Sequence, residues 1–300
     1  MGESSKEWHS FGKQKSYEDM VEYFRNREYE HSNYYHYTNL KVIDSILEKE
    51  EFWVSCVNGF NDKKDKEQFG DNITGKEYYS LCFSTGVNEN LPLWYLYSGI
   101  NGEGGRIRLT PGAVKQLIDN GEFTLYELKE ENKKSLGKRI MSLKKCQTME
   151  LDFKDVIYIK EADDRVSMKY NNMTNYNFKI NDDEFNEIKN KWNHFIKGLI
   201  WFYEKETRLI VHLIGDAKKI VTQNKKVPYV VTISFKNNND VLRNLGVGFA
   251  PRIEENRLEN IFSEHTAIGN HKNLNYNVKL SEYSGSVEID FCSKCPKNNK

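Results

Sequence analysis

An α+β fold is predicted by three stretches of this 300-residue chain. In the first, the aromatic run Tyr34-Tyr35-His36-Tyr37-Thr38 leads into Leu40, Ile43 and Leu47 at helical spacing. Phe52-Trp53-Val54-Ser55 follows, so the stretch reads as strand, short helix, strand. In the second, Tyr78 to Phe83 has the composition of a buried strand, and Arg106 to Leu109 alternates as a strand does. The third is an apolar stripe at Phe185, Ile188, Trp192, Phe195 and Leu199, which predicts a long amphipathic helix opened by Asp182.

Along the chain, Ser16 opens a helix with Tyr17, Met20, Val21 and Phe24 on one face. Asn39 or Thr38 caps the helix after the first strand, and the strand's period of two sends His36 and Thr38 to one face. Taken by itself, a His at a strand end reads as a satisfied core residue. Asn58 to Asp62 has turn chemistry, and the charges from Lys63 to Glu67 read as a solvated loop. Leu93 to Tyr97 is a short aromatic helix, and Pro111 starts another. The charge-rich segment Glu127–Lys145 and the Asn-rich segment Glu161–Asp183 read as inserted loops or a helical excursion, with a strand at Val156–Ile159 between them. If Trp201 to Val211 is extended, Glu204, Glu206 and Arg208 share a face. Strands follow at Val230–Phe235, Val241–Gly246 and Tyr276–Leu280, with a helix over Glu254–Phe262. One domain over 1–300 is expected, with an insertion around 127–183.

Lys plus Arg equals Asp plus Glu, 44 each, which excludes a global attraction for nucleic acid but not a local basic groove. Five cysteines, an odd number scattered along the chain, predict free thiols in a reducing cytoplasm. Cys292-x-x-Cys295 is a single pair with no second pair to complete a zinc site, so no metal is expected. Met1 to Lys6 lacks an apolar core and the myristoylation pattern, and no apolar run reaches membrane-spanning length. A soluble, cytoplasmic protein without membrane contact is expected.

Several motifs carry a resemblance. They are His36-Tyr37-Thr38, Phe52-Trp53-Val54-Ser55, Phe60-Asn61-Asp62-x4-Glu67, Leu81-Cys82-Phe83-Ser84, Leu93-Trp94-x-x-Tyr97, Trp201-x-x-Glu204-x-Glu206-x-Arg208 and Gly248-Phe249-Ala250-Pro251. In this order they resemble a large bacterial family of uncharacterised proteins of mobile and defence loci. The chain departs from that pattern at Lys63, where Pro is usual, and at Leu93, where Met is usual. The motif order is in turn similar to that of ADP-ribosyltransferases of the His-Tyr-Glu type.

That resemblance implies a split β-sheet with flanking helices and NAD as the substrate cofactor, held by His36, Tyr37, Thr38, Ser84, Trp94, Tyr97 and Arg208. His36 would bond the adenosine ribose, and Thr38 or nearby backbone would hold the nicotinamide side. Tyr97, or failing it Trp94, would stack on the nicotinamide. Glu206 would bind the 2′-hydroxyl of the nicotinamide ribose beside the oxocarbenium centre, and Glu204 would position or deprotonate the acceptor. Arg208 would pair with a carboxylate or the pyrophosphate. The implied activity is transfer of ADP-ribose to a macromolecule by a toxin-like effector of phage defence, with an antitoxin as a further partner. Lysines in 129–145 and 218–226, with aromatic neighbours, point to single-stranded RNA or DNA as the acceptor. An NAD glycohydrolase and a nucleotide-binding sensor without turnover are the rival readings.

Overall fold

The computed structural model describes residues 31–60, 62–70, 74–85, 89–97, 103–129, 135–162, 165–169, 176–179, 194–224, 227–236, 238–275 and 278–281. The helix expected from Ser16, the Cys292/Cys295 pair and most of the helix expected over 185–199 lie outside them.

The first unit is β1 (Tyr34–Asn39), α1 (Leu40–Lys49) and β2 (Glu51–Cys56). Asn39 is the cap: its Oδ1 accepts from the Val42 amide at 3.0 Å, satisfying one of the helix's unpaired donors. Leu40, Ile43, Ile46 and Leu47 are buried under α1, each contributing on the order of 2 kcal/mol. Glu50, left-handed at φ 52°, reverses the chain into β2.

The chain continues through α2 (Lys63–Glu67), β3 (Tyr78–Thr85), α3 (Leu91–Tyr97), β4 (Gly104–Leu109) and α4 (Pro111–Asn120). Next come β5 (Glu122–Leu128), β6 (Leu136–Ser142), β7 (Met149–Asp155), β8 (Ile157–Ala162), β9 (Arg165–Lys169), β10 (Tyr176–Lys179) and β11 (Ile196–Gly198). A 3₁₀ helix at Leu199–Glu204 precedes β12 (Glu206–Leu213), α5 (Gly215–Gln223), β13 (Tyr229–Ser234), α6 (Asn239–Arg243) and β14 (Leu245–Phe249). The described chain closes with α7 (Leu258–Glu264), α8 (Thr266–Asn275) and β15 (Val278–Lys279). The architecture is α+β: an open, mostly antiparallel sheet with flanking helices.

The large sheet has eleven strands, in the order β15-β14-β4-β1-β3-β2-β13-β5-β6, with β12 joining β3 to β7. β3 is where it divides. One edge of β3 pairs with β12 from Tyr78↔His212 to Ser84↔Glu206. The other edge meets β1 only at Ser84 and Thr85, and β2 only at Tyr79 and Ser80. Between those contacts β1 and β2 part. There the Cys82 carbonyl accepts from His36 Nδ1 at 3.0 Å, a side chain supplying the donor that a strand would otherwise bring. The main core lies on the face shared by Tyr34, Phe83, Ile107 and Leu209, beneath α1. Close approach there requires Gly105, where a Cβ would stand 2.5 Å from Ile43 Cδ1.

Several expectations are corrected. The segments read as loops or a helical excursion carry β6, β9 and β10 instead, while β8 lies where the strand at Val156–Ile159 was expected. Exposed Lys138 and Arg139 on β6 are the charges that guard a sheet edge, and they mask the strand's apolar signal. Phe195–Leu199, the described end of the expected long helix, contains β11, which pairs in parallel with β8 to complete a second sheet, β10-β9-β8-β11. Tertiary pairing overrides the helical stripe there. The strand expected from Val241 starts at Leu245, because the Asn238 side chain caps α6 by accepting from the Val241 amide at 3.2 Å. Among the described residues no helix is long and apolar enough to cross a membrane.

Candidate active site

β12 turns Leu209, Val211 and Leu213 into the main core, so Glu206 and Arg208 face the other side of the sheet. The register sets them opposite Ser84 and Cys82 of β3. Glu204 reaches the same place by a different route from the expected strand. It ends the 3₁₀ helix, and Lys205, left-handed at φ 45°, turns the chain into β12. Thr85 fixes that turn: its amide and its hydroxyl both donate to the Lys205 carbonyl, at 2.8 and 3.0 Å.

Around these residues lies a buried charge cluster. Arg208 has no exposed surface. Its Nη1 and Nη2 donate to both oxygens of Asp65 at 2.7 and 2.6 Å, and its Nε and Nη2 donate to both oxygens of Glu206 at 2.7 and 3.0 Å. Nη1 also donates to the His194 carbonyl at 3.0 Å. Lys197 places its Nζ 2.5 Å from Glu204, 3.2 Å from Glu206 and 3.7 Å from Asp65. The Tyr158 hydroxyl accepts from the Glu206 amide at 2.8 Å. Two fixed cations thus face three buried carboxylates, and the environment separates the two glutamates.

Burial favours the neutral form of Glu206, but Arg208 and then Lys197 outweigh it and hold its carboxyl far below the usual carboxylate range. Burial also raises Glu204, and Lys197 only partly offsets this while Glu206 adds to it, leaving its carboxyl at about 7. Lys197 is itself pushed up: burial opposes its charge, but Glu206 and Glu204 prevail. The surroundings therefore favour the charge on Glu206 and oppose it on Glu204.

His194 borders the cluster. Its backbone is left-handed at φ 79°, its ring stacks on Phe69 with centroids 4.4 Å apart, and its buried Nδ1 has no hydrogen-bond partner among the described residues. Burial and then His212 lower its pKa to about 4, so the ring is neutral.

No family model, curated protein or solved structure matches the chain.

The structure brings together some of the expected residues and separates others. Glu204, Glu206, Arg208 and Ser84 share one region. Tyr97 joins them: its ring is half-exposed, while burial of its hydroxyl end and then the charge of Glu204 push its phenol pKa up. Tyr37 and Trp94 also stand on this side of the sheet, but both are buried. The Tyr37 hydroxyl accepts from Arg106 Nη1 at 3.1 Å and from the Asn90 amide at 3.3 Å, and Trp94 Nε1 donates to Glu89 at 3.0 Å. These rings support the site from beneath and present no free face.

His36 and Thr38 lie on the opposite face, where they pair with Ile107 and Gly105 of β4. The His36 ring packs edge-on to Phe52 and Phe83 in the main core. Burial lowers its pKa, so with Nδ1 donating to Cys82 the neutral ring has one tautomer. β1 thus directs His36 to the face away from the carboxylates, where the half-buried ring, bonded to the Cys82 carbonyl in the gap between β1 and β2, is a satisfied histidine at the border of the main core. Lys138 and Arg139 of β6 stand four strands from β3, at the far edge of the sheet. Lys218 and Lys219 pair with Glu77 and Asp216.

Sequence reasoning missed Asp65, Lys197 and Tyr158. Asp65 falls in the segment read as a solvated loop, yet it is buried; its one local signal is Phe69, four residues on and also buried. Lys197 was hidden within the helical stripe, and Tyr158 within an apolar strand. Among the described residues no group of three or more His, Cys, Asp or Glu is placed to hold a metal.

Proposed function

We propose that this protein breaks the bond between nicotinamide and ribose in NAD and passes the ADP-ribosyl group to a macromolecular acceptor. The observation that carries this reading is the divergence of Glu204 and Glu206. Two adjacent carboxyls driven to opposite charge behaviour are what a reaction needs when it pairs a fixed anion with a proton acceptor.

In the proposed reaction the C1′–N bond breaks and its electron pair leaves with neutral nicotinamide. Glu206, ionised at every working pH, faces the oxocarbenium-like carbon and accepts from the ribose 2′-hydroxyl. An ionised carboxylate accepts about four hydrogen bonds. Those of Glu206 come from Arg208 Nε and Nη2, Lys197 Nζ and the Cys82 thiol. The thiol is the weakest donor of these, so a sugar hydroxyl displaces it most readily. The acceptor atom then bonds C1′ as its proton passes to Glu204. The half-exposed ring of Tyr97 supplies a face for the cationic nicotinamide. In this reading His36 serves the split in the sheet through its bond to the Cys82 carbonyl and is assigned no contact with NAD.

The place of the protein as a toxin-like effector of phage defence, under an antitoxin, rests on the motif resemblance. Labelled NAD incubated with the protein and with RNA, DNA or protein tests the reading. Nicotinamide release with label entering one of these supports it, release without labelling makes the protein a glycohydrolase, and no release refutes NAD chemistry.

A further inference from the structure

β8 and β11 pair with Tyr158 opposite Lys197, so the second sheet presents a phenol and an ammonium side by side to the start of β12. The two act on the same short segment: Tyr158 accepts from the Glu206 amide, and Lys197 reaches both glutamates. The glutamates do not depend on Lys197 equally. Arg208 grips Glu206 through two donors, whereas among the described residues Lys197 is the one cation bonded to Glu204. The ammonium is also held from outside, lying 5.1 Å from the centroid of the Trp201 ring.

We infer that Lys197 is a positioning residue for proton transfer: its ammonium holds the Glu204 carboxyl against Glu206 and, by its charge, keeps Glu204 available as a base. This rests on the reading of Glu204 as the group that takes the acceptor's proton. The titratable groups around Glu204 are Lys197 on β11, Glu206 and Arg208 on β12, Tyr97 on α3, Tyr158 on β8 and the neighbouring Tyr203, with Asp65 on α2 beyond Lys197. Of the two cations, Arg208 is committed to Asp65 and Glu206. Removing Lys197 leaves Glu206 anchored and strips Glu204 of its nearest positive charge. A cation this close lowers a carboxylate by about one to three pH units, so its loss moves the titration of Glu204 up by about that much.

The test is the carboxyl titration of Glu204, followed by NMR on protein carrying ¹³C-labelled glutamate and assigned by the signal missing in Glu204→Gln. It is run beside the pH dependence of nicotinamide release. In Lys197→Met both the NMR midpoint and the acidic limb of the rate profile are expected to move up by about one pH unit or more. Lys197→Arg, which keeps the charge, is expected to restore them towards the parent values. If Lys197→Met does not fold, Lys197→Gln provides the same comparison. A folded, uncharged variant whose Glu204 midpoint stays in place overturns the inference, as does a uniform loss of rate with no displacement of the profile. The two readings fail separately: a parent protein that releases no nicotinamide refutes the proposed reaction, while the NMR midpoint still decides what Lys197 does.

Discussion

Replacing Glu204 by Gln gives a direct measure of what burial does to this carboxyl, independent of substrate. The amide has the shape of the neutral acid and cannot ionise. In the folded protein Glu204 is raised from an ordinary 4.5 to about 7. Between those values the unfolded chain releases the proton and the folded chain keeps it, so folding takes up a proton and stability falls as pH rises. The stability associated with neutral Glu204 is fully present below 4.5 and lost once pH passes about 7. A difference of this size corresponds to about 3 kcal/mol. Urea unfolding followed by tryptophan fluorescence from pH 4.5 to 8 is the assay. Near pH 4.5 the stability gap between Glu204→Gln and the parent has its lowest value, and by pH 8 it is expected to move about 3 kcal/mol in favour of the variant. Every other titrating group is present in both proteins. Curves that stay parallel across this range refute the argument that Glu204 is held near neutrality.

Asp65→Asn removes the charge that Arg208 grips with two nitrogens and leaves a fully buried guanidinium half-compensated, so unfolding free energy is expected to fall by about 3 to 5 kcal/mol. A loss under 1 kcal/mol, measured in urea, contradicts that picture. Glu206→Gln is expected to lower kcat for nicotinamide release about a hundredfold or more while the far-ultraviolet circular dichroism stays unchanged. Full turnover in the folded variant removes Glu206 from the mechanism. His36→Ala is expected to cost about 1 to 3 kcal/mol by leaving the Cys82 carbonyl without its donor, with KM for NAD unchanged. A tenfold rise in KM at undiminished stability would place His36 in the site after all.

What the sequence made legible follows from how local each feature is. The β1-α1-β2 unit was readable because its apolar residues, its Asn cap and its aromatic strands lie within about twenty residues and agree with one another. The pairing of Glu206 with Arg208 was readable for the same reason, being two residues apart on one strand. Glu204 was expected beside them on an extended chain. It arrives instead through a 3₁₀ turn and a left-handed Lys205, a conformation that lysine's composition does not announce. β6 and β7 were hidden because strands with one solvated face, rich in charge, have the composition of loops.

The remaining features were beyond local reading because two surfaces made from distant segments decide them. Asp65 lies 143 positions from the Arg208 that grips it, and Lys197 meets the same carboxylate from another segment, so only folding turns ordinary lysines and acids into a buried cluster. The fate of His36 is decided in the same way. Period two says that it shares a face with Thr38, but not which face. That depends on the register of β1 against β3 and β4 and on the point where β1 and β2 separate. Once that register is set, Tyr35 falls on the side of Ser84 and Glu206, and His36 falls among Phe52, Phe83 and Ile107. A one-residue slip would reverse the assignment. The motif that marks the start of the fold therefore secures the split in the sheet, and the chemistry proposed for β12 relies also on Asp65, Lys197 and Tyr158, which no motif specifies: Asp65 falls in the open x4 of Asn61-Asp62-x4-Glu67.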